Sequence, residues 1–178
     1  KNFLNRITKK VDIVYHFAAI SDIDNSNLDP FFSLNVNLNS SINLIECCIK
    51  NKVKKIIFAS SIYALSTQGG FYSSTKRSCE NIIEDYANKY GLKFTILRYG
   101  SIYGSRSNSF NALHNFVYQG LRFKKIERDG KGDEIRNYIN VRDAAKITYK
   151  ILLKKYENKY VNILGKEKIR VRSVIKLI

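Results

Sequence analysis

The sequence predicts an α/β protein built on a parallel sheet. Three short runs rich in β-branched and aromatic residues are typical of buried strands, at 11–17, 55–61 and 94–98. A helix is predicted to open at Tyr72-Ser73-Ser74-Thr75-Lys76, because apolar residues then recur at offsets of three and four. Its predicted buried stripe consists of Cys79, Ile82, Ile83, Tyr86, Ala87 and Tyr90.

Length and composition indicate a folded, soluble protein. At 178 residues, with 44% apolar and 12% aromatic residues, the chain is long enough for a core and too apolar to be disordered. It contains no apolar run near ~18 residues and no signal-peptide pattern, so we expect a cytoplasmic protein without a membrane partner. Its three cysteines, Cys47, Cys48 and Cys79, lack zinc spacing and fit reduced packing, so no metal site is predicted.

The formal net charge of +16 raises the question of a polyanionic partner. The lysines are scattered over predicted helix faces and turns, with short clusters only at 52–55 and 150–155. No recognisable nucleic-acid-binding motif accompanies them. We therefore interpret the charge as solvated surface and expect no specific nucleic-acid partner. A polyanion site and an acidic partner are the alternatives.

Tyr72 and Lys76 form a candidate acid–base pair. They lie one helical turn apart on one face, so the ammonium can approach the phenol. A phenol has a reference pKa of ~10, and a nearby positive charge lowers that pKa by favouring the phenolate. We therefore expect Lys76 to bring the pKa of Tyr72 towards the working pH. The spacing alone is a weak signal in a chain with 12 tyrosines and 31 lysines and arginines.

The residues around this pair place it at the edge of the predicted sheet. Ligands of open parallel sheets bind beyond the carboxyl ends of the strands. Ser60 and Ser61 end the predicted strand 55–61 and precede Tyr72, so we expect all three at one crevice. The later strand, 94–98, continues into Tyr99-Gly100-Ser101-Ile102-Tyr103-Gly104.

Five ordered segments resemble the extended short-chain dehydrogenase/reductases of the nucleotide-sugar epimerase and dehydratase type. They are Val14-Tyr15-His16-Phe17-Ala18-Ala19, Phe58-Ala59-Ser60-Ser61, Tyr72 to Lys76, Leu97-Arg98-Tyr99-Gly100-Ser101-Ile102-Tyr103-Gly104, and Gly130-Lys131-Gly132 followed by Arg136-Asn137-Tyr138-Ile139-Asn140-Val141-Arg142-Asp143-Ala144-Ala145. Together these segments extend over most of the chain in the family's order. This combination is more specific than any one motif.

The resemblance implies a partial Rossmann-like parallel sheet with a smaller C-terminal substrate-binding part. Residues 1–104 are expected to be the later part of the dinucleotide-binding domain. Residues 105–178 are expected to be mainly the substrate-binding part, truncated, with segments returning to the main domain. The first glycine is Gly69, so the glycine-rich turn that holds a pyrophosphate in this family is missing. We therefore expect the middle and later part of a longer protein, which by itself binds NAD poorly.

The resemblance also implies roles for individual residues. Tyr72, as phenolate, takes a proton from a sugar hydroxyl; Lys76 lowers its pKa and holds the nicotinamide ribose; Ser61 shares the hydrogen bond to the reacting oxygen. The implied cofactor is NAD or NADP, the implied substrate is a nucleotide sugar, and a homodimer is expected. Cofactor contacts are expected from Ala18, Ala19, Asn37, Ser60, Tyr72, Lys76 and Tyr99, and substrate contacts from Ser101 and Arg136.

Three residues have a simpler alternative interpretation. His16 is expected to be a packed strand residue rather than a catalytic one. Asn37 either helps to hold the active site, as in the family, or is a surface asparagine. Arg136 suits bidentate phosphate recognition, and the alternative is a solvated arginine.

The predicted function is that of an NAD(P)-dependent epimerase or keto-reductase acting on a nucleotide-activated sugar. Dehydratases of the family place an acidic pair after the active-site hydroxyl, whereas Ser61 is followed by Ile62 and Tyr63. The connection from Ile62 to Gly70 is shorter than the family's, which indicates either a trimmed active-site loop or a disordered segment absent from the numbering. The alternative function is a non-catalytic remnant or interaction module that has kept the fold.

Overall fold

The computed structural model describes residues 1–178, and the chain forms two compact units. The first unit consists of Lys1–Arg98 and Ile151–Asn162, and the second of Tyr99–Lys150 and Ile163–Ile178. The predicted α/β class and the parallel strand pairing are confirmed. The division by function into a dinucleotide-binding part and a substrate-binding part stays a prediction.

Short strands and helices alternate along both units. The strands are β1 (Ile13–His16), β2 (Lys55–Ser61), β3 (Lys93–Tyr99), β4 (Ser101–Tyr103), β5 (Ile135–Arg136), β6 (Tyr138–Asn140), β7 (Lys159–Ile163) and β8 (Ile169–Arg170). The α-helices are α1 (Asn2–Ile7), α2 (Ile23–Leu28), α3 (Pro30–Leu34), α4 (Ser40–Lys50), α5 (Gly70–Tyr90), α6 (Ala112–Phe123), α7 (Val141–Lys150) and α8 (Val171–Ile175). A π-helical turn occupies Asn35–Asn39, and 3-10 turns occupy Ile62–Leu65 and Lys154–Tyr156.

The main sheet of the first unit has the strand order β1-β2-β3-β7. β1 and β2 pair in parallel, with Val14 opposite Ile56 and His16 opposite Phe58. β2 is buried along nearly its whole length. A strand that is covered on both faces needs a continuous apolar run rather than an alternating one, which is the pattern of segment 55–61.

The core of the first unit lies between this sheet and the helices α4 and α5. Cys48 of α4, Phe58 of β2 and Ile83 of α5 have at most 2% of their surface exposed. Burial of an Ile or Phe side chain contributes roughly 1.5–3 kcal/mol. The core cluster consists of Leu44, Ile45, Cys48, Val53, Ile56, Phe58, Cys79, Ile83, Ala87, Leu92, Phe94 and Ile96.

Helix α5 is the long helix that the periodicity predicts. Of the predicted stripe, Cys79, Ile83 and Ala87 are buried, and Ile82 and Tyr86 pack partly buried against the core. The prediction for Tyr90 is wrong, because this residue is 51% exposed and stacks on Tyr86 at the end of the helix. The helix ends there because the next residue is Gly91, which adopts the left-handed conformation with φ 73°.

The second unit contains two small sheets. β4 pairs in parallel with β6, and β5 pairs antiparallel with β8. Gly104, at φ 147°, lets the end of β4 approach the start of α7, because a Cβ there would lie 2.5 Å from Val141 Cγ1. Helix α6 begins after Asn111, whose side-chain oxygen accepts a hydrogen bond from His114 N at 3.0 Å. None of the helices in either unit combines the length and the apolar composition needed to cross a membrane.

Candidate active site

Ser61 and Tyr72, both predicted as catalytic residues, lie side by side in the first unit. Ser61 is the last residue of β2, and Tyr72 lies in the first turn of α5. Both residues are buried, and hydrogen bonding from Ser61 acts to lower the pKa of Tyr72. Ser61 Oγ also accepts a hydrogen bond from the backbone N–H of Tyr63 at 3.2 Å. Because Ser61 Oγ accepts in this bond, its own hydroxyl proton remains available for another acceptor.

The ionisation of Tyr72 differs from the sequence-based expectation. Burial raises the pKa of Tyr72, and the hydrogen bond with Ser61 opposes that rise. The predicted lowering of this pKa by Lys76 is wrong for this chain. The reason is geometric: Lys76 Nζ donates to the backbone oxygen of Ala59 at 2.8 Å and lies 5.9 Å from the centre of the Tyr72 ring.

Lys76, a residue of α5, places a buried ammonium against the end of β2. It is 4% exposed, and its ammonium lies 4.8 Å from the centre of the Phe58 ring. Burial lowers the pKa of Lys76 to about 8, and the charges of Cys79 and Glu80 act in the opposite direction. At pH 7 the ammonium form therefore still predominates, so Lys76 can serve as a hydrogen-bond donor.

A buried ion pair, which the sequence analysis did not identify, lies one helical turn beyond Lys76. Arg98 donates to Glu80 through Nη2 at 2.6 Å and through Nε at 3.0 Å, and the two side chains are only 16% and 3% exposed. Ser60 Oγ donates to the same carboxylate. Glu80 thus joins α5 to the ends of β2 and β3. Its offset of four residues from Lys76 was the available signal. The cofactor contact of Ser60 stays a prediction.

Asn37 holds the segment that follows β1. Ile20 N donates to Asn37 Oδ1 at 2.7 Å, and Asn37 Nδ2 donates to Ile20 O at 3.0 Å and to Thr75 Oγ1 at 3.1 Å. Because Asn37 is only 2% exposed, the surface alternative is wrong. Ala18 and Ala19, which precede Ile20, are exposed and half-buried. Their cofactor contacts stay predictions.

His16 is a packed strand residue, as expected. Its Nε2 lies 2.8 Å from Ser41 Oγ, and the residue is 5% exposed. Burial lowers the pKa of His16 to about 4, with the charge of Lys76 as the second cause. The ring is therefore neutral at pH 7.

Tyr99, Ser101 and Arg136 belong to the second unit. The Tyr99 hydroxyl lies 2.6 Å from Thr148 Oγ1. Ser101 is the first residue of β4, and Arg136 lies on β5 opposite Ile169. The cofactor contact of Tyr99 and the substrate contacts of Ser101 and Arg136 stay predictions.

Comparisons with known proteins identify the family. A model of the NAD dependent epimerase/dehydratase family matches residues 1–163, so the chain belongs to this family. A putative UDP-glucose 4-epimerase of Methanocaldococcus jannaschii is 29% identical over 177 residues, which cover 89% of this chain and 57% of that protein.

Two solved UDP-glucose 4-epimerases have the same fold. The enzyme of Thermotoga maritima, solved with UDP-glucose, is 28% identical with a TM-score of 0.90, covering 99% of this chain and 63% of that one. The enzyme of Thermus thermophilus, solved in complex with NAD, is 26% identical with a TM-score of 0.85, covering 98% of this chain and 64% of that one. The chain therefore spans 57% to 64% of the length of these relatives.

Proposed function

We propose that this chain carries the acid–base residues of an NAD(P)-dependent enzyme that epimerises or reduces a nucleotide-activated sugar. The observation that carries the proposal is the burial of Ser61, Tyr72 and Lys76 where the end of β2 meets the first turns of α5, with Ser61 acting on the pKa of Tyr72. Membership of the family and the relatives that act on UDP-glucose support the same class of substrate.

In this proposal Tyr72 moves the proton. Because burial raises the pKa of Tyr72, its protonated form is favoured, and this form can donate from Oη to the carbonyl oxygen of a keto sugar. In the reverse direction Oη receives the proton from the sugar hydroxyl. When substrate is bound, the single hydroxyl proton of Ser61 turns from Tyr72 to the same reacting oxygen and stabilises the charge that develops there.

The residues present fit the nicotinamide end of NAD(P), which when bound supplies the hydride acceptor and donor. Lys76 Nζ has three N–H donors, and one of them reaches Ala59 O at 2.8 Å. We expect the others to hold a ribose hydroxyl. Ala18 and Ala19 have small side chains, so a flat ring can approach the backbone beyond β1.

Burial of Lys76 argues against a non-catalytic remnant. A cation that is 4% exposed, with a pKa lowered to about 8, costs folding free energy. Apolar side chains would fill this position at a lower cost. A role of Lys76 in the chemistry explains why a group with this cost occupies the position.

Epimerisation or keto-reduction is favoured over dehydration. The turn Ile62–Leu65 that follows Ser61 contains no carboxylate. Elimination of water needs an acid to protonate the leaving hydroxyl and a base to remove the neighbouring proton. Neither is available in this turn.

The test uses the natural protein that contains this chain, supplied with NAD(P) and UDP-hexoses. Tyr72→Phe should abolish turnover. Ser61→Ala should leave a low turnover, with a rate constant roughly 10²-fold below that of the wild type or lower still. Product mass distinguishes the reactions: epimerisation leaves it unchanged, reduction adds two hydrogens, and dehydration removes one water. Loss of water would contradict the proposed reaction. Turnover that survives Tyr72→Phe would contradict the proposed site.

The remaining sequence-based expectations stay predictions. They are a homodimer, the cytoplasmic location, the absence of a specific nucleic-acid partner, and weak NAD binding by the chain alone. Sedimentation of the chain at several concentrations tests whether it forms a homodimer. Titration of the chain with NAD tests the expected weak binding, and a micromolar dissociation constant would contradict that expectation.

A further inference from the structure

Two side chains of helix α5, those of Ser73 and Arg77, donate hydrogen bonds to the turn that follows β2. Ser73 Oγ donates to Tyr63 O at 2.7 Å and to Ser66 O at 3.1 Å. Arg77 donates through Nε to Ala64 O at 2.7 Å and through Nη2 to Ser66 O at 2.8 Å. Ser73 and Arg77 are one helical turn apart, so they present their donors along one row of α5. The backbone oxygens of Tyr63, Ala64 and Ser66 are therefore all held from the same helix.

This turn also contacts both proposed catalytic residues. The backbone N–H of Tyr63 donates to Ser61 Oγ at 3.2 Å, and the Tyr63 ring meets the Tyr72 ring edge-on at 6.5 Å between centroids. Within the turn itself, Ser66 N donates to Tyr63 O at 2.9 Å. The bonds from Arg77 are charge-assisted, and such bonds are stronger than neutral ones. Arg77 is therefore well placed to hold the turn.

We propose that Arg77, assisted by Ser73, is a positioning residue for the Ser61–Tyr72 pair, an inference that rests on the proposed function. Arg77 holds the turn, the turn holds the N–H of Tyr63 on Ser61 Oγ, and this bond leaves the Ser61 proton for Tyr72. Helix α5 thus has two adjacent rows. One row carries Tyr72 and Lys76, the residues proposed for the chemistry. The adjacent row carries Ser73 and Arg77, which hold the turn that follows β2.

The experiment compares Arg77→Met, which removes the donors, with Arg77→Lys, which keeps the charge and one donor site. Arg122→Met, an exposed arginine on α6, is the matched control. Amide hydrogen exchange of the chain reports the turn. We expect the amides of Tyr63 and Ser66 to exchange about tenfold faster in Arg77→Met, with the core amide of Ile57 unchanged. Arg77→Lys should restore part of the protection.

A second measurement separates positioning from general stabilisation. With tyrosine labelled at 13Cζ, the Tyr72 signal, assigned by its loss in Tyr72→Phe, reports the hydrogen bond with Ser61. We expect Arg77→Met to move this signal in the same direction as Ser61→Ala, and Arg122→Met to leave it in place. If Arg77→Met does not fold, Ser73→Ala is measured in the same way and should shift the signal in the same direction.

Two results would overturn the inference. One is a Tyr72 signal that stays unchanged in Arg77→Met while the turn exchanges faster, which would make the contacts merely structural. The other is equal acceleration of exchange at Tyr63 and Ile57, which would mean global loss of stability. Neither readout needs turnover, so failure here is distinguishable from failure of the proposed function, which product analysis tests.

Discussion

The side-chain amide of Asn37 pairs with the backbone of Ile20 in both directions: Ile20 N donates to Oδ1 at 2.7 Å, and Nδ2 donates to Ile20 O at 3.0 Å. Asn37→Ala should lower the free energy of unfolding by about 2–3 kcal/mol, because it leaves buried polar groups without partners. Urea unfolding measures this change. Asn39→Ala, at an exposed position of the same π-helical turn, should cost less than about 0.5 kcal/mol. Equal losses in the two variants would contradict the role of Asn37.

Acid should destabilise the chain through His16. The pKa of His16 is about 4 in the folded state and 6.5 as a free side chain, so below pH 6.5 the unfolded state binds the additional proton. The contribution of neutral His16 to the free energy of unfolding is therefore complete above pH 6.5. It is lost as the pH falls towards 4, by up to about 3 kcal/mol. Urea unfolding of His16→Gln between pH 7 and pH 4 should lack this part of the loss. His114→Gln, at the exposed second histidine, should retain it.

Lys76→Met should stabilise the chain at neutral pH. The pKa of Lys76 is lowered from 10.5 to about 8, so below pH 8 the folded state contains a buried charge that costs about 3 kcal/mol. Between pH 8 and 10.5 mainly the unfolded state binds the proton, so the free energy of unfolding of the wild-type chain rises with pH. The difference in this free energy between Lys76→Met and the wild type therefore becomes smaller. Denaturant unfolding at pH 7 and pH 10 measures this. Lys89→Met, at an exposed position of α5, should show no such narrowing; the same pH trend in both would refute the assignment.

Glu80→Gln should destabilise the chain by about 3 kcal/mol, because it leaves Arg98 partly buried without its counter-charge. Asp12→Asn removes one partner of an exposed pair with Lys54, whose side chains are 73% and 77% exposed. That variant should unfold at the wild-type denaturant midpoint. A wild-type midpoint for Glu80→Gln as well would mean that the buried pair contributes nothing to stability.

Arg136→Ala should raise KM for the nucleotide sugar roughly tenfold in the natural protein while changing kcat less. The physical reason is that a phosphate contact is made in both the ground state and the transition state. Steady-state kinetics of the UDP-hexose reaction measure the two constants. Arg142→Ala, at an exposed arginine of α7, serves as the control. A fall in kcat with unchanged KM would contradict substrate binding by Arg136.

Local features of the sequence predict the framework of the site. The apolar run of β2 stops at Ser60 and Ser61, and the periodicity after Tyr72 predicts α5 with Tyr72 and Lys76 one turn apart. Strand and helix periodicities depend on neighbouring residues, so they can be recognised without long-range contacts. The exposure of Tyr90 shows where this reasoning ends, because periodicity gives the face of a helix and not the extent of the core along it.

Tertiary structure decided how the site residues behave. Whether Lys76 lowers the pKa of Tyr72 depends on burial and on the direction of the ammonium, which here points to Ala59 O rather than to the phenol. The pairing of Glu80 with Arg98 likewise joins different elements that are distant in the sequence. Desolvation and hydrogen-bond direction arise only when such segments meet. The spacing of residues along one helix therefore identifies the pair at Tyr72 and Lys76, but not its protonation state.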